Sequence, residues 1–546
     1  MMQAAHNQRR RMWLKLAFFG LLGTASLWWL YDERSRLLVM NTVRLATGTC
    51  AIAVPVGALL ALILVRTDAP CSRWIFVGLI VMAFIPLHLQ CAGWQAGFGQ
   101  QGWVTLLNSS LGDTPLLDGW RGAIWVHVLQ AVPWVTLIVG AGLWFSEPQW
   151  EENALLDGSA WRVFFRVTLL RTLPGIGIAT LWVVVTTTSE ITVTNLFRIR
   201  TYADEVHTGF YLGEFAGNDH HSFVLGGGLL TGLIVVGWLF AASGTLFSFI
   251  FPATFSTSGR PPWIFRLGIW RWPTALVACV VLVVGWLVPL ANLCYKAGLQ
   301  VQMAGADRVR TWSLLKCLYM VADSPREFGV EFGWSLGIGA MSATTALAAG
   351  ALLAWWARSN YTCAAVASLA AALCLALPGS VLGRVIIWLL NRRESEWLVW
   401  LYDQSIFAPW TALLVRCFPL TMIIAWHAFR TIPHGVLESA SADGAGSLVQ
   451  LWRIALPLRI RPLACAWLIS LAIAVSDLAA VVLVVPPGVD LLSVRIFGLL
   501  HIGVEDRVAG ICLANSIMLV ILAFTTIGLA RLYRPAVGGR EMMRIR

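Results

Sequence analysis

The sequence is poor in charged residues, and long stretches of it contain none. Asp, Glu, Lys and Arg make up 12% of the 546 residues, whereas a soluble domain carries about 25%. Hydrophobic residues make up 58%, and the mean hydropathy is +0.74. A soluble globular fold is therefore excluded, and the chain is predicted to be an integral membrane protein.

Several sequence signals of chemistry are also missing. The dipeptide Gly-Lys does not occur, so there is no P-loop of the form GxxxxGK[ST] to cradle nucleotide phosphates. No CxxC pair or Cys/His metal spacing occurs, and the nine histidines are dispersed, His220 and His221 being adjacent in a predicted external loop. We therefore predict no catalytic residues, no metal site, no cofactor bound by this chain, and no enzyme activity of its own. Cys294 and Cys317 fall in one predicted external loop and are candidates for a disulfide.

Twelve apolar runs are long enough to cross a bilayer, which takes about 20 residues. They lie near 12–31, 41–65, 74–93, 122–145, 174–197, 223–250, 273–292, 332–357, 363–388, 408–428, 462–485 and 507–531. The run at 12–31 is predicted to be a retained span, because no convincing signal-peptide cleavage site follows it. Lys and Arg concentrate in segments that lie inside if both termini are cytoplasmic. The net charge of +11 lies between the spans, which favours contact with membrane lipid and not with nucleic acid.

The two halves of the chain repeat each other. Pro133 precedes Glu152 by 19 residues, as Pro419 precedes Glu438, and the same 20 residues separate Arg66 from Pro86 and Arg358 from Pro378. Hydrophobicity alone does not place polar residues in register. The predicted fold is all-α, with about twelve transmembrane helices in two homologous six-helix halves. The halves are 1–250 and 271–546, and a Pro/Ser/Gly-rich cytoplasmic linker at 251–270 joins them.

A small-residue, half-polar segment follows the fourth span of each half. The second copy, LESASADGAGSLVQLWRIALP, is predicted to form a short helix that ends at Asp443, with Gly444 in a left-handed conformation. An amphipathic helix follows with Leu448, Leu451, Trp452 and Ala455 on one side, and Pro457 stops it before the next span. The first copy is ENALLDGSAWRVFFRVTLLRTLPG, beginning at Glu152. An amphipathic helix lying on the membrane surface is the simpler alternative for both copies.

The second copy matches the pattern E-A-A-x3-G-x9-I-x-L-P except for Ser439, and it resembles the signature of the membrane subunits of binding-protein-dependent ABC importers. The first copy departs further, with Asn153 in place of the first Ala and Arg171 where the Pro is expected. In that family the segment forms coupling helices, which dock on a cytoplasmic ATPase. The resemblance implies these coupling residues here: Glu152, Ala154, Asp157, Gly158, Glu438, Ala440, Asp443, Gly444, Leu456 and Pro457.

The resemblance also implies partners and a location. The chain would be a multi-pass inner-membrane permease, served by two copies of a cytoplasmic P-loop ATPase and by a periplasmic or lipid-anchored solute-binding protein. The fused two-half architecture and the run SDLAAVVLVVPPGVDLLSVRIF at 476–497 are similar to the ferric-iron importers, with Asp477 in place of Glu. Ferric iron is the expected solute, and thiamine, polyamine and phosphonate permeases, which share much of the pattern, supply the alternatives.

Glu190 and Asp477 are the acids within predicted spans, 38 and 39 residues after their motif glutamates. Intramembrane acids are costly and usually face a bundle interior or water, so they are candidates for the translocation path. The structural alternative is that each caps a broken helix or pairs with a buried arginine such as Arg416. Paired acids also keep open an ion-coupled secondary transporter, while a membrane-embedded enzyme is disfavoured by the missing catalytic cluster.

Overall fold

The computed structural model describes residues 33–107, 115–144, 148–211, 263–304, 307–392 and 394–532. These residues are almost entirely helical. Seven continuous helices are long and apolar enough to cross a membrane, and three further pairs of helices qualify if each bent pair counts as one span, which makes up to ten in the described part of the chain. The all-α polytopic membrane fold is therefore confirmed. The predicted spans at 12–31 and 223–250, the histidine pair at 220–221 and most of the linker lie outside the described residues.

The helices before the linker are α1 (Glu33–Arg66), α2 (Ser72–Phe84), α3 (Leu87–Phe98), α4 (Trp103–Leu107), α5 (Gly119–Trp144), α6 (Pro148–Asp157), α7 (Ala160–Val163), α8 (Leu169–Thr188), α9 (Thr192–Leu196) and α10 (Tyr202–Tyr211). Those after it are α11 (Arg271–Leu282), α12 (Val288–Gly298), α13 (Leu314–Glu327), α14 (Gly329–Ala357), α15 (Tyr361–Ala376), α16 (Gly379–Leu390), α17 (Glu396–Asp403), α18 (Phe407–Arg430), α19 (His434–Ala442), α20 (Ser447–Gln450), α21 (Leu456–Leu458), α22 (Ile460–Ser476), α23 (Leu492–Ile502) and α24 (Asp506–Leu532). Three five-residue π-helical segments and one 3-10 turn connect some of them: Phe164–Thr168, Val283–Leu287, Leu451–Ala455 and Gly268–Trp270.

One antiparallel hairpin accompanies the helices. Its strands are β1 (Leu299–Ala304) and β2 (Asp307–Trp312), paired in register from Leu299 opposite Trp312 to Ala304 opposite Asp307. The hairpin joins α12 to α13. Cys294 and Cys317, on those two helices, are free cysteines in the structure.

Several predicted spans are broken. The chain bends by 98° between α2 and α3 and by 104° between α15 and α16, at the two prolines, Pro86 and Pro378, that the repeat aligns. Proline removes a backbone donor and disfavours the helical conformation of the residue before it, which explains why the helices end there. The helices in the predicted spans 174–197 and 462–485 end early, at Thr188 and Ser476. An acidic residue and a non-helical segment follow each helix.

The first described span after the linker packs into the core of the half before it. Ala278 of α11 belongs to the same buried cluster as Leu79 and Met82 of α2. Next to it, Asn292 of α12 donates its Nδ2 to the carbonyl of Gly93 at 3.0 Å. The sequence boundary between the halves is therefore not a boundary in the packing.

Glycine is required where α3 meets α12. A Cβ built on Gly93 would lie 2.4 Å from Cβ of Pro289 and 2.7 Å from its carbonyl oxygen. Gly337 on α14 has nothing within 4 Å of such a Cβ. We expect Gly93→Ala to lower the free energy of unfolding by about 1–3 kcal/mol through overpacking. Gly337→Ala should raise it by about 0.5–1 kcal/mol by restricting the unfolded chain.

Thermal unfolding of the purified protein in detergent measures both changes. A Gly93→Ala protein that melts with or above the wild type would contradict the close contact between α3 and α12.

Candidate functional site

A small central cavity lies where the broken helices meet. It has a volume of about 120 Å³, and its walls include Glu190, Asp477, His88 and Arg416. The two intramembrane acids, which the repeat places at nearly equivalent positions, thus face one common space. The cavity is smaller than most ligand pockets, which measure about 300–1,000 Å³.

Glu190 lies two residues before the short helix α9. Its carboxylate oxygens accept the backbone N–H groups of Thr192 at 2.6 Å and Val193 at 2.9 Å. These are among the donors that a helix start leaves without partners, so Glu190 is the cap of α9. The ring Nε2 of His127, on α5, lies 3.8 Å from the same carboxylate.

Asp477 lies at the corresponding position after α22, and it forms an ion pair with an arginine. One carboxylate oxygen accepts the backbone N–H of Ala480 at 2.9 Å, and the other accepts Nε of Arg416 at 2.8 Å. The structural alternative raised from the sequence therefore holds for both acids. It coexists with their exposure to the cavity, because a carboxylate has lone pairs enough for a cap and a further donor.

The charges around the cavity are not symmetric. Arg416 lies three residues before Pro419, and the residue three before Pro133 is Gln130. Asp477 is therefore neutralised by an arginine, whereas the nearest basic group to Glu190 in the described structure is a histidine ring, His127. The cavity lining therefore contains two carboxyl groups and one guanidinium, a composition that favours a cation over an anion.

His88 is a cavity residue that sequence reasoning missed. It lies in the first turn of α3, directly after the break at Pro86, and is 2% exposed. Its Nε2 has no hydrogen-bond partner within the described residues. Its position two residues after the proline of a broken span could have identified it, because a helix break in a membrane usually lines a cavity.

Hydrogen bonds beyond the cavity join the two halves. Asn195 of α9 donates its Nδ2 to Asp204 of α10 at 2.9 Å, and its Oδ1 lies 2.7 Å from Nε2 of His501 on α23. The other ring nitrogen of His501 lies 2.9 Å from the carbonyl of Phe497. Both ring nitrogens of His501 thus lie within hydrogen-bond distance of an oxygen atom.

The second copy of the repeated motif folds as two short helices around a glycine turn. Helix α19 ends at Ala442, and Gly444 has a φ of +83°. The N–H of Ala445 bonds to the carbonyl of Ala440, and that of Gly444 to the carbonyl of Ser441, which is the Schellman arrangement. The predicted left-handed glycine is therefore confirmed.

The exposed surface of this copy differs from the predicted face. Leu451 and Ala455 are buried, whereas Leu448 and Trp452 are exposed, so the prediction that all four share one side is wrong. The cause is the π-helical turn Leu451–Ala455, whose period differs from that of an α-helix. Pro457 lies within α21 and does not end the segment, which instead bends by 79° into α22.

Glu438 is exposed beside this surface, together with Asp443 and Gly444. Ala440 is buried, and Leu456 is half-buried. Of the predicted coupling residues in this copy, the charged ones and the glycine are thus accessible to a partner, while Ala440 packs inward.

The first copy also forms two short helices, but the turn between them differs. Helix α6 ends at Asp157, and the chain resumes as α7 after Gly158. Gly158 does not adopt a positive φ, so its turn is not of the Schellman type. Arg171, which stands where proline is expected, lies within α8, and Pro174 is accommodated inside that helix.

An open groove of about 530 Å³ lies along the first copy. Ala154 and Asp157 line one wall, and Val167 and Arg171 line the other. The guanidinium of Arg171 lies 5.6 Å from the ring centroid of Trp150. Arg171, which stands in place of the expected proline, is therefore part of the groove wall. Glu152 is half-buried at the same end of the segment.

Comparison with known proteins finds a family similarity in the second half of the chain. Residues 346–539 match the family described as the binding-protein-dependent transport system inner membrane component. The match contains the second copy of the motif and Asp477, and it supports the permease family of binding-protein-dependent importers. The first copy and Glu190 lie outside the matched residues.

Two relatives are spermidine/putrescine transport system permease proteins named PotC. The protein from Escherichia coli (strain K12) is 27% identical over 108 residues, which cover 19% of this chain and 41% of the relative. The protein from Haemophilus influenzae is 29% identical over 120 residues, covering 21% of this chain and 47% of the relative. The chain thus spans less than half the length of the curated relatives it matches.

The buried carboxyl group of Asp204 makes the stability of the protein depend on pH. Burial raises the pKa of Asp204 to about 6; the hydrogen bond from Asn195 opposes this rise, and the nearby carboxylates of Glu205 and Glu190 add to it, while Arg200 lowers it. The folded state therefore binds this proton more tightly than the unfolded state. The resulting stabilisation is complete below about pH 4 and is lost as the pH rises through about 6.

We expect Asp204→Asn to remove this dependence. As the pH rises from 4.5 to 7.5, the melting temperature of the wild type should fall relative to that of Asp204→Asn. The melting temperature of the exposed control Asp490→Asn should fall as that of the wild type does. Parallel melting curves of wild type and Asp204→Asn across that range would contradict the assignment.

Proposed function

We propose that the chain is the transmembrane permease subunit of an ABC importer, with both halves forming the path. The match of residues 346–539 carries this proposal, since it contains the exposed Glu438 and the turn at Gly444. Permeases of this kind are transport subunits, and here two copies of a separate P-loop ATPase hydrolyse the ATP. A periplasmic or lipid-anchored binding protein delivers the solute to the inner membrane from outside.

The contacts at the two ends of helix α1 support an orientation with the coupling segments on the cytoplasmic side. At one end of α1, Arg66 contacts Glu151 beside the first coupling segment. Near the other end, Asn41 donates to the carbonyl of Arg200, close to the contact between Asn195 and His501. Helix α1 has 34 residues and rises 1.5 Å per residue, which is enough to cross a bilayer. We therefore place the coupling segments and both termini in the cytoplasm.

The proposed cycle is alternating access. ATP binding closes the two ATPase subunits and moves the coupling segments together. The helix breaks around the cavity then rearrange, so that the outer contact between the halves opens and solute reaches Glu190. Hydrolysis returns the permease to the state in which this contact is closed.

We propose a small organic cation as the solute, with a polyamine as the best candidate, in preference to ferric iron. The two PotC relatives are named for spermidine and putrescine, which matches the polyamine alternative. Within the described residues, no group of three or more His, Cys, Asp or Glu is placed to hold a metal ion, and a ferric ion prefers several hard oxygen ligands. An ammonium group needs only acceptors, which Glu190, His88 and the hydroxyls of the cavity supply.

An ion-coupled secondary transporter is the second candidate, favoured by the paired acids. Its weakness is Asp477, which is already neutralised by Arg416 at 2.8 Å and so has little capacity to bind a coupling ion. A transporter of this kind would also need no ATPase, so the partner decides between the two.

Reversing the charge of Glu438 tests the ATPase interaction. We expect Glu438→Arg combined with Gly444→Pro to abolish co-purification of the ATPase, because it reverses an exposed charge and removes a left-handed glycine. Glu396→Arg makes the same charge change at an exposed position at the start of α17 and should leave the complex intact. Retention of the ATPase by the double variant would refute the docking assignment.

Neutralising Glu190 tests the solute site. We expect Glu190→Gln to reduce spermidine transport into liposomes by about 10- to 100-fold, since a hydrogen bond to a charged group contributes about 1.5–3 kcal/mol. ATP hydrolysis and ATPase binding should persist. The matched control is Asp490→Asn, in the exposed part of the segment that follows Asp477, and it should transport normally.

The solute itself is decided by the external protein. If the cognate binding protein binds ferric iron and ignores polyamines, the organic-cation proposal is wrong, although the permease proposal stands.

A further inference from the structure

A buried ion pair lies next to the first coupling segment. Nη1 of Arg66, the last residue of α1, lies 2.8 Å from Oε2 of Glu151 on α6, and both side chains are 1% exposed. Glu151 directly precedes the motif glutamate Glu152. The motif pattern does not include it.

Further hydrogen bonds extend the pair to neighbouring helices. Thr168, at the start of α8, donates its hydroxyl to the other carboxylate oxygen of Glu151 at 3.0 Å. Nη2 of Arg66 donates to the carbonyl of Leu143, at the end of α5, at 3.0 Å. One ion pair therefore joins the ends of α1, α5 and α8 to the coupling helix α6.

The end of the linker attaches at the same place. The backbone N–H of Phe265 donates to the carbonyl of Arg66 at 2.7 Å, and that of Leu267 donates to the Asp68 carboxylate at 2.8 Å. The ring of Phe265 packs edge-on against Phe164, with 5.9 Å between the ring centroids. Gly268, where the next span begins, follows directly.

The second half achieves the equivalent anchoring without an ion pair. Leu437 stands before its motif glutamate and is buried. Arg358, the repeat equivalent of Arg66, stacks 4.0 Å from the ring centroid of Trp355, and Nε1 of Trp355 donates to the hydroxyl of Ser447 at 2.9 Å. Because apolar packing suffices there, the fold does not require a buried ion pair at this position.

We propose that Arg66 and Glu151 are positioning residues that make the first coupling segment, α1 and the start of the second half move as one unit. Separating the two charges removes their mutual electrostatic compensation while both stay buried, which is strongly unfavourable. An apolar contact can slide, whereas a hydrogen-bonded ion pair fixes both distance and direction. Movement of α6 is thereby passed to the linker. This inference rests on the proposed function, in which the ATPase moves α6.

The test replaces the pair by an apolar one in the full chain. Arg66→Met with Glu151→Leu introduces the residue that the second half has at Leu437, and it avoids an unpaired buried charge. Thr168→Val is a milder variant that keeps the pair and removes one hydrogen bond. Arg358→Met is the matched control in the second half.

Transport and hydrolysis are measured together in liposomes that contain the ATPase and the binding protein. We expect the double variant to bind the ATPase and to hydrolyse ATP within about twofold of the wild type, while spermidine transported per ATP falls about tenfold. Thr168→Val should give a smaller fall, and Arg358→Met none. An unchanged transport-to-hydrolysis ratio in both first-half variants would overturn the inference, because filling the space would then be enough.

Hydrogen exchange provides a readout that does not depend on the ATPase. Amides with fewer stabilising contacts open and exchange faster. We expect exchange at Phe265 and Leu267 to be about tenfold faster in the double variant and unchanged in Arg358→Met. Unchanged exchange in the double variant refutes the link between the ion pair and the linker. If the wild type itself binds no ATPase while this exchange difference appears, the proposed function fails and the link between these elements stands.

Discussion

Inside a bilayer no water is available to the backbone groups at the end of a broken helix, so the protein must supply their partners. Much of this structure follows from that constraint. Helices break around the central cavity. At two of the breaks a carboxylate accepts hydrogen bonds from backbone N–H groups that have no partner within a helix. Glu190 and Asp477 therefore make the breaks possible. Because they lie at the breaks, they also line the space that the breaks create.

A single carboxylate can thus cap a helix and also face the cavity, but the surroundings of the two acids differ. Asp477 is held by Arg416 and contributes shape more than charge. Glu190 has a backbone cap and a histidine ring 3.8 Å away, so its charge is less compensated and can attract a cation. The repeated architecture supplies two similar positions, and a difference of one neighbouring residue, Arg416 against Gln130, divides the roles between them.

Sequence pattern was sufficient for features that depend on local chemistry or on spacing. The helical membrane fold, the left-handed Gly444 and the equivalent positions of two distant acids could all be predicted, because each follows from residue type and the repeat. The breaks at Pro86 and Pro378 were not predicted, since the spans 74–93 and 363–388 were expected to be continuous. Features set by tertiary packing could not be predicted either. In the π-helical turn Leu451–Ala455, Leu451 is buried and Trp452 is exposed, and the motif centred on Glu152 does not include Glu151. Nor does a linear boundary at the linker reveal that Ala278 packs into the core of the preceding half.

The differences between the halves concentrate at the coupling segments. The second copy has the complete pattern, a Schellman turn and an apolar anchor around Leu437, whereas the first has Arg171, a different turn and a buried ion pair. The first copy also contacts the end of the linker, where Phe164 packs against Phe265, so its anchoring involves both halves. The cost of burying the charges of Arg66 and Glu151 falls on one half alone. The pair lies next to the attachment of the linker at Phe265, and an ion pair fixes the direction of this contact more closely than apolar packing does.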